Sequence, residues 1–112
     1  MQTIGIVLNV REDRSVEFEQ GFRTHEQPIW HDLLAGGLLV RATLSRLDIS
    51  TVKVEGAVPY LVVVIFATDE GHHVHDSDPR FEAWNRLADA YQLAEPYVFG
   101  GDSLVAVPAP EA

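Results

Sequence analysis

The sequence predicts an α+β fold in which two helices cover one face of a four-stranded antiparallel sheet. The segments with strand and helix periodicity follow one another in the order βαββαβ within 112 residues. The third strand, Tyr60–Thr68, is apolar on both faces, although helices on one side cover only one of them. A second copy of the chain is the commonest cover for such a face. The sequence therefore predicts a homodimer joined through the face of the sheet that the helices leave bare.

The first half of the chain supplies two strands and a helix. The first strand, Thr3–Val10, alternates so that Ile4, Ile6 and Leu8 share one face. The first helix begins at Asp13–Ser15, where Asp or Ser can cap it, and ends at Gly36-Gly37. Pro28 either kinks this helix or starts a second short one. Its expected buried stripe consists of Phe18, Phe22, His25, Ile29 and Leu33.

The second half repeats the pattern. Strand two is predicted at Leu38–Ile49, followed by a loop, and a polar connection at Asp69–Asp78 follows strand three. The second helix opens with Asp78-Pro79, an N-cap followed by proline, and is expected to end at Glu95-Pro96. Its expected buried stripe consists of Phe81, Trp84, Leu87, Ala88 and Tyr91. A last strand is predicted within Tyr97–Val107, broken at Gly100-Gly101. All these elements form one predicted domain over residues 1–107, and Pro108–Ala112 is predicted to be a flexible tail.

Composition excludes several classes of function. The chain has 8 basic and 17 acidic residues and a net charge of −9, so nucleic acid and anionic membranes are not expected partners. It has no cysteine, which removes disulfides, thiolate catalysis and thiolate metal sites. Its first residues lack the pattern of a signal peptide, and its longest apolar run is too short to span a bilayer. We therefore expect a cytoplasmic protein.

The first helix carries a pattern that points to a known superfamily. Phe18-x3-Phe22-x2-His25-x2-Pro28, closed by Gly36-Gly37-Leu38, resembles the first helix of many dimeric α/β-barrel proteins. That superfamily has a ferredoxin-like fold and includes antibiotic-biosynthesis monooxygenases and stress-responsive A/B-barrel proteins. The resemblance spans Thr3–Val107. It implies a ferredoxin-like domain that dimerises through its sheet, without fixing a reaction.

Two branches of the superfamily imply different chemistry. Haem degraders pair an asparagine on the first strand with a tryptophan and a later histidine, and Asn9 and Trp84 match the first two. No histidine follows His75 in this chain, so the resemblance predicts neither haem nor any other cofactor. Cofactor-free monooxygenases hold a phenol with asparagine, tryptophan, tyrosine and arginine, roles that Asn9, Trp84, Tyr91 and Arg41 could fill.

The predicted catalytic residues are His25, Asn9 and Arg41. On the apolar stripe, His25 would face the sheet and act as a general base, with Asn9 and Arg41 stabilising an anion. Each residue also has a structural alternative: His25 could be a hydrogen-bonded structural histidine, Asn9 could end its strand, and Arg41 could form an ion pair. Asn9 faces the dimer partner instead if Ile4 and its neighbours face the helices. The predicted substrate-binding walls are Trp84, Tyr91 and Phe22, for which the alternative is ordinary core packing.

The histidines before the second helix suggest a metal site. In an extended segment His73 and His75 would project to one side, where Asp76 could complete a site for zinc, nickel or iron. The alternative is a solvated polar loop, since the spacing matches no named metal motif.

The sequence leaves open whether the chain is an enzyme. The leading hypothesis is a cofactor-independent oxygenase or isomerase that acts on a small aromatic or enolisable substrate. The alternative is a non-catalytic dimeric binding or assembly module that captures a metal through the segment His72–His75. The expected partners are a second copy of the chain and a small aromatic or apolar ligand.

Overall fold

The computed structural model describes residues 1–109 and contains a four-stranded antiparallel sheet in the order β2-β3-β1-β4. The strands are β1 (Gln2–Arg11), β2 (Leu39–Arg46), β3 (Ala57–Phe66) and β4 (Tyr97–Asp102). The helices are α1 (Ser15–Gly21), α2 (Gln27–Ala35), α3 (Asp69–Asp76) and α4 (Pro79–Asp89). A 3-10 turn, Glu12–Arg14, precedes α1, and a π-helical segment, Phe22–Glu26, joins α1 to α2. The α+β, ferredoxin-like fold is confirmed, although the first predicted helix is divided into α1 and α2 and an additional helix, α3, precedes the second.

The register of the sheet separates its two faces. Leu8 pairs with Tyr60 and Ile6 with Val62, whereas Val7 pairs with Leu61 and Gly5 with Val63. Side chains alternate across a strand, so the even-numbered set faces the helices and the odd-numbered set faces away. Burial follows this alternation in β3, where the buried side chains are Tyr60, Val62, Val64 and Phe66. We call the other side, which includes Val7, Leu61, Val63, Ile65 and Phe99, the uncovered face.

The π-helical segment changes which residues the first helical stretch buries. A π-helix has a wider turn than an α-helix, so the residue that follows Phe22 on the buried side is Glu26 instead of His25. Pro28 then lies in the first turn of α2, which confirms the second short helix rather than a kink. The buried stripe therefore consists of Phe18, Phe22, Glu26, Ile29 and Leu33.

The polar connection predicted at residues 69–78 is mostly helix α3, so that prediction is wrong. The Thr68 hydroxyl accepts a hydrogen bond from the Glu70 N–H and caps the helix, and Asp69 adds negative charge near its N-terminus. Gly71 brings the helix against β3, because a Cβ at this position would lie 2.6 Å from Phe66 Cδ1. Packing through Gly71 thus supports a helix whose composition is polar.

Other boundaries differ in smaller ways. Asp78 caps α4 as predicted, since its carboxylate accepts from the Arg80 N–H, but the helix ends at Asp89 and Leu87 is 45% exposed. Strand β2 ends at Arg46, and β3 covers Ala57–Phe66. Gly100 and Gly101 pair with β1 inside β4 and do not break it. The end of the predicted tail, residues 110–112, lies outside the described residues. Within residues 1–109, no helix combines the length and the apolar character needed to cross a bilayer.

Candidate active site

A cavity of about 280 Å³ lies between the covered face of the sheet and the helices. Strands β1 and β3 supply aliphatic side chains to it, and the helical side supplies aromatic rings. Its apolar lining includes Ile4, Ile6, Leu8, Val62, Val64, Phe18, Phe22, Phe81 and Trp84. A space of this size with aromatic walls suits a small ring compound.

A buried carboxylate and an imidazole face one another at this cavity. Glu26, which is 5% exposed, ends the π-helical segment, and His75 lies in the last turn of α3. Glu26 Oε1 forms a hydrogen bond with His75 Nε2. Among the residues that the structure describes, the second oxygen, Glu26 Oε2, is buried and has no hydrogen-bond partner. A ligand in the cavity can supply the donor that this oxygen lacks.

The partners of His75 indicate its charge. Its Nδ1 lies 2.9 Å from Asp76 Oδ1, so both ring nitrogens contact carboxylate oxygens, which accept hydrogen bonds when ionised. Burial acts to lower the pKa of His75, but hydrogen bonds and charge from Glu26, and then from Asp76, raise it above its ordinary value. These contacts favour the imidazolium form of His75, which lies between two carboxylates.

These three residues connect the cavity with solvent. The side chain of Glu26 is 6% exposed, that of His75 is 11% exposed and that of Asp76 is 50% exposed. The Phe81 ring packs against the imidazole, with 4.3 Å between ring centroids, and also lines the cavity. The hydrogen-bonded chain from the buried Glu26 through His75 thus reaches solvent at Asp76.

Tyr60, at the other end of the covered face, is not a second acid or base. Its hydroxyl donates to Glu19, which also pairs with Arg46. Burial and this hydrogen bond raise the pKa of Tyr60 to about 12. The phenol stays protonated near neutral pH and ties β3 to α1.

The structure does not bring the three predicted catalytic residues together. The prediction that His25 faces the sheet is wrong, because the π-helical segment leaves it exposed, stacked on Trp84 with 5.4 Å between ring centroids. Asn9 is buried, but its register opposite Pro59 places it on the uncovered face. Arg41 is exposed and pairs with Ile65, also on the uncovered face. None of the three is among the residues that line the cavity.

Two of the three predicted wall residues line the cavity. Phe22 and Trp84 do so, and their rings meet edge to face with centroids 6.2 Å apart. Tyr91 is buried beside Trp84, at 6.3 Å between centroids, but it packs behind the cavity wall with the Arg14 guanidinium over its ring. Tyr91 therefore supports the wall and does not form part of it.

The predicted metal ligands do not have the geometry on which that prediction rested. His73 and His75 lie two residues apart on a helix, so they project to different sides, and the extended geometry is wrong. His75 and Asp76 are hydrogen-bonded to each other. Within residues 1–109, no group of three or more histidine, aspartate or glutamate side chains is arranged to hold a metal ion.

The sequence analysis missed Glu26 and assigned His75 to a different role. The missed signal is the spacing of the buried stripe. Phe18 and Phe22 are four residues apart, and the residue four positions after Phe22 is Glu26, which is buried if this spacing continues. Asn85 and Gln92 also line the cavity. Asn85 follows the buried Trp84 in α4, and Gln92 follows the buried Tyr91 just after the end of that helix.

The structure resembles solved proteins that share one fold. No family model and no curated protein sequence matches the chain. A protein from Nitrosomonas europaea assigned to the antibiotic biosynthesis monooxygenases superposes with a TM-score of 0.74 at 13% identity, over 94% of this chain and 100% of its own. A protein from Bordetella bronchiseptica with the same assignment superposes with a TM-score of 0.65 at 22% identity, over 93% of this chain and 98% of its own.

A third structure belongs to a protein whose activity is stated. A variant of SnoaB, a cofactor-independent oxygenase from Streptomyces nogalater, superposes with a TM-score of 0.68 at 13% identity, over 96% of this chain and 98% of its own. At such identities the likeness shows the fold and leaves the reaction open. The chain has the ferredoxin-like fold of the antibiotic biosynthesis monooxygenase domain.

Proposed function

We propose that this chain, which has the fold of the antibiotic biosynthesis monooxygenases, takes a proton from a small aromatic or enolisable substrate inside its cavity. The proton transfer begins a cofactor-independent oxygenation or an isomerisation. The observation that carries the proposal is Glu26, a buried carboxylate at an apolar cavity, one oxygen of which has no hydrogen-bond partner within residues 1–109. SnoaB, with the same fold and a stated cofactor-independent oxygenase activity, supports the class of reaction.

Each part of the cavity has a role in this reaction. Phe22 and Trp84 hold the ring of the substrate, and Glu26 Oε2 accepts the proton from a phenolic hydroxyl or an enolisable carbon. The His75 imidazolium offsets the negative charge that the reaction leaves in the site. The substrate anion then adds dioxygen, and the resulting peroxide anion takes the proton back from Glu26; in an isomerisation the anion regains the proton at another carbon. Either step returns Glu26 to its carboxylate form.

Replacing Glu26 by glutamine tests this role, because the amide keeps the shape but cannot take the proton. With anthrone, an enolisable polycyclic ketone, as probe, we expect the wild type to consume oxygen faster than buffer, and Glu26→Gln to lose about 10²- to 10⁴-fold of that rate. The measurement is oxygen uptake with an electrode. His25→Ala is the control and should keep the wild-type rate, because His25 does not line the cavity.

An unchanged rate in Glu26→Gln would contradict the assignment of the base. Absence of turnover in the wild type, with anthrone bound, would favour the second candidate, a dimeric binding module. The uncovered face is the observation that favours this candidate, since it points to assembly whether or not the cavity is catalytic.

The proposal includes a homodimer joined through the uncovered face. Val7, Leu61, Val63 and Ile65 form a continuous apolar strip across β1 and β3. On β4 the Phe99 side chain, which is 62% exposed, extends the strip. An apolar surface of this kind on a sheet needs a cover, and a second copy offers the same surface in return.

Placing a charge on the uncovered face should break the dimer. Val63 lies on that face, so Val63→Asp should yield monomer at concentrations where the wild type is dimeric. Val16→Asp is the matched control, because Val16 is 68% exposed on α1 and lies on the helical side of the molecule. Sedimentation equilibrium measures both, and a Val63→Asp dimer of wild-type affinity would contradict this interface.

A further inference from the structure

A second concavity, of about 450 Å³, lies between α2 and strand β2. Strand β2 is at the edge of the sheet, so this groove runs along the sheet margin. Apolar side chains form its floor, among them Phe22, Trp30, Leu34 and Leu39. Phe22 also lines the interior cavity, and its ring packs edge to face on Trp30 with 5.1 Å between centroids. One aromatic pair therefore separates the groove from the candidate active site.

The groove is positively charged in an acidic protein. Four of the seven arginines of the sequence form ion pairs with acidic side chains: Arg14, Arg46, Arg80 and Arg86. Arg23 and Arg41 line the groove, and within residues 1–109 neither forms an ion pair. The residues that line the groove include no aspartate or glutamate. In a chain with a net charge of −9, this local excess of cations is unusual.

Trp30 adds a hydrogen-bond donor without an acceptor. Its indole lines the groove, and among the described residues its buried Nε1 has no hydrogen-bond partner. An indole N–H can only donate, so it requires an acceptor. Gln27 and His31 lie on the same side of α2, with 3.4 Å between Gln27 Nε2 and His31 Nε2.

We infer that this groove binds a small organic carboxylate with an apolar or aromatic body. The carboxylate oxygens accept from the Arg23 guanidinium, a pairing that planar arginine forks favour, and from the Trp30 N–H. Arg41, whose side chain starts on the uncovered face of the edge strand, adds positive charge at the border of the groove. The body of the ligand lies on Leu34, Leu39 and the indole ring. A highly charged anion fits less well, because most of this lining is apolar and the protein as a whole repels polyanions.

The site is separate from the proposed reaction, and its ligand differs in chemistry. The interior cavity presents the free oxygen of Glu26 and binds a hydrogen-bond donor, whereas the groove presents donors and binds an anion. The chain has two tryptophans, and each reports on one site: Trp84 lines the cavity and Trp30 lines the groove.

The test is a titration of the ¹⁵N-labelled full chain with 1-naphthoate, followed through the two indole N–H resonances. We expect the Trp30 resonance to move as its N–H gains an acceptor, while the Trp84 resonance stays in place. The neutral analogue 1-naphthamide should bind about tenfold more weakly, because a charge-assisted hydrogen bond is roughly twice as strong as a neutral one. Salt should weaken the naphthoate complex and leave the naphthamide complex unchanged.

Variants of the two arginines identify the source of the affinity. Arg23→Gln should weaken naphthoate binding by about fivefold to tenfold, since it removes the charge-assisted contact. Arg41→Gln should weaken it by less, since Arg41 contributes positive charge without a direct contact. Arg11→Gln is the matched control: Arg11 is also an exposed arginine but does not line the groove, so the affinity should not change. Equal affinity for naphthoate and naphthamide, unchanged affinity in Arg23→Gln, or movement of only the Trp84 resonance would overturn the inference.

Discussion

His75→Leu lowers the free energy of unfolding by about 3–5 kcal/mol, the range for a buried ion pair that loses one partner. The reason is that Glu26 then remains buried without the imidazolium that its Oε1 contacts. Small domains are stable by only about 5–15 kcal/mol, so this is a large fraction of the total. Urea denaturation followed by circular dichroism measures the change.

A double variant separates the effect of the ion pair from that of lost packing. The double variant Glu26→Leu/His75→Leu should regain most of the lost stability, because replacing both partners by apolar groups leaves no uncompensated charge. If the double variant is as unstable as His75→Leu, the charge of Glu26 is not the cause.

The effect of His75→Leu should also depend on pH. The pKa of His75 is raised by Glu26 and Asp76, so its stabilising contribution is fully present below the ordinary value of 6.5 and is lost as pH rises through the raised value. Of the other groups near the ring, Asp78 has a lowered pKa, due mainly to Arg80, and stays ionised throughout this range. The difference in stability between wild type and variant should therefore be largest below pH 6.5 and shrink as the pH rises through the raised pKa of His75.

Phe18→Ala should destabilise the protein by about 3–5 kcal/mol, as expected when a large aromatic residue is deleted from a core. Phe18 is 1% exposed and contacts four other aromatic rings: Phe22, Tyr60, Trp84 and Tyr91. It also lines the interior cavity, so its removal enlarges the space for a ligand. The measurement is again urea denaturation, with and without a bulky aromatic ligand such as anthrone.

Leu87→Ala serves as the control, because Leu87 is 45% exposed on α4. It should change stability by less than about 1 kcal/mol. A loss for Phe18→Ala as small as that of Leu87→Ala would contradict the description of this core.

The fold was predictable from the sequence because its signals are local and agree with one another. The alternation of β1, the Asp78-Pro79 start of α4 and the two-sided apolar character of β3 all point to the observed sheet and helices. Helix α3 was not predicted because its residues are polar, and what holds it is the close approach of Gly71 to Phe66 in another element. Such a contact between distant residues leaves no periodic signal.

The candidate site was only partly predictable. Trp84 and Phe22 were identified because aromatic residues on a buried stripe reach the interior whatever the details of the helix. His25 and Glu26 are neighbours, and the choice between them depends on the width of one helical turn. Because the π-helical segment has no clear sequence signature, the α-helical spacing pointed to the wrong residue. His75 acquires its role only when α3 brings it to Glu26, 49 positions away in the chain.

The most direct test of the proposed proton transfer needs neither oxygen nor the natural substrate. The protein is incubated in D₂O with 2-tetralone, an enolisable aromatic ketone, and deuterium uptake at its α-carbon is followed by ¹H NMR. We predict that the wild type accelerates exchange above the buffer rate, that Glu26→Gln loses the acceleration, and that His25→Ala keeps it. Equal exchange in the wild type and Glu26→Gln would contradict the assignment of Glu26 as the base of this cavity.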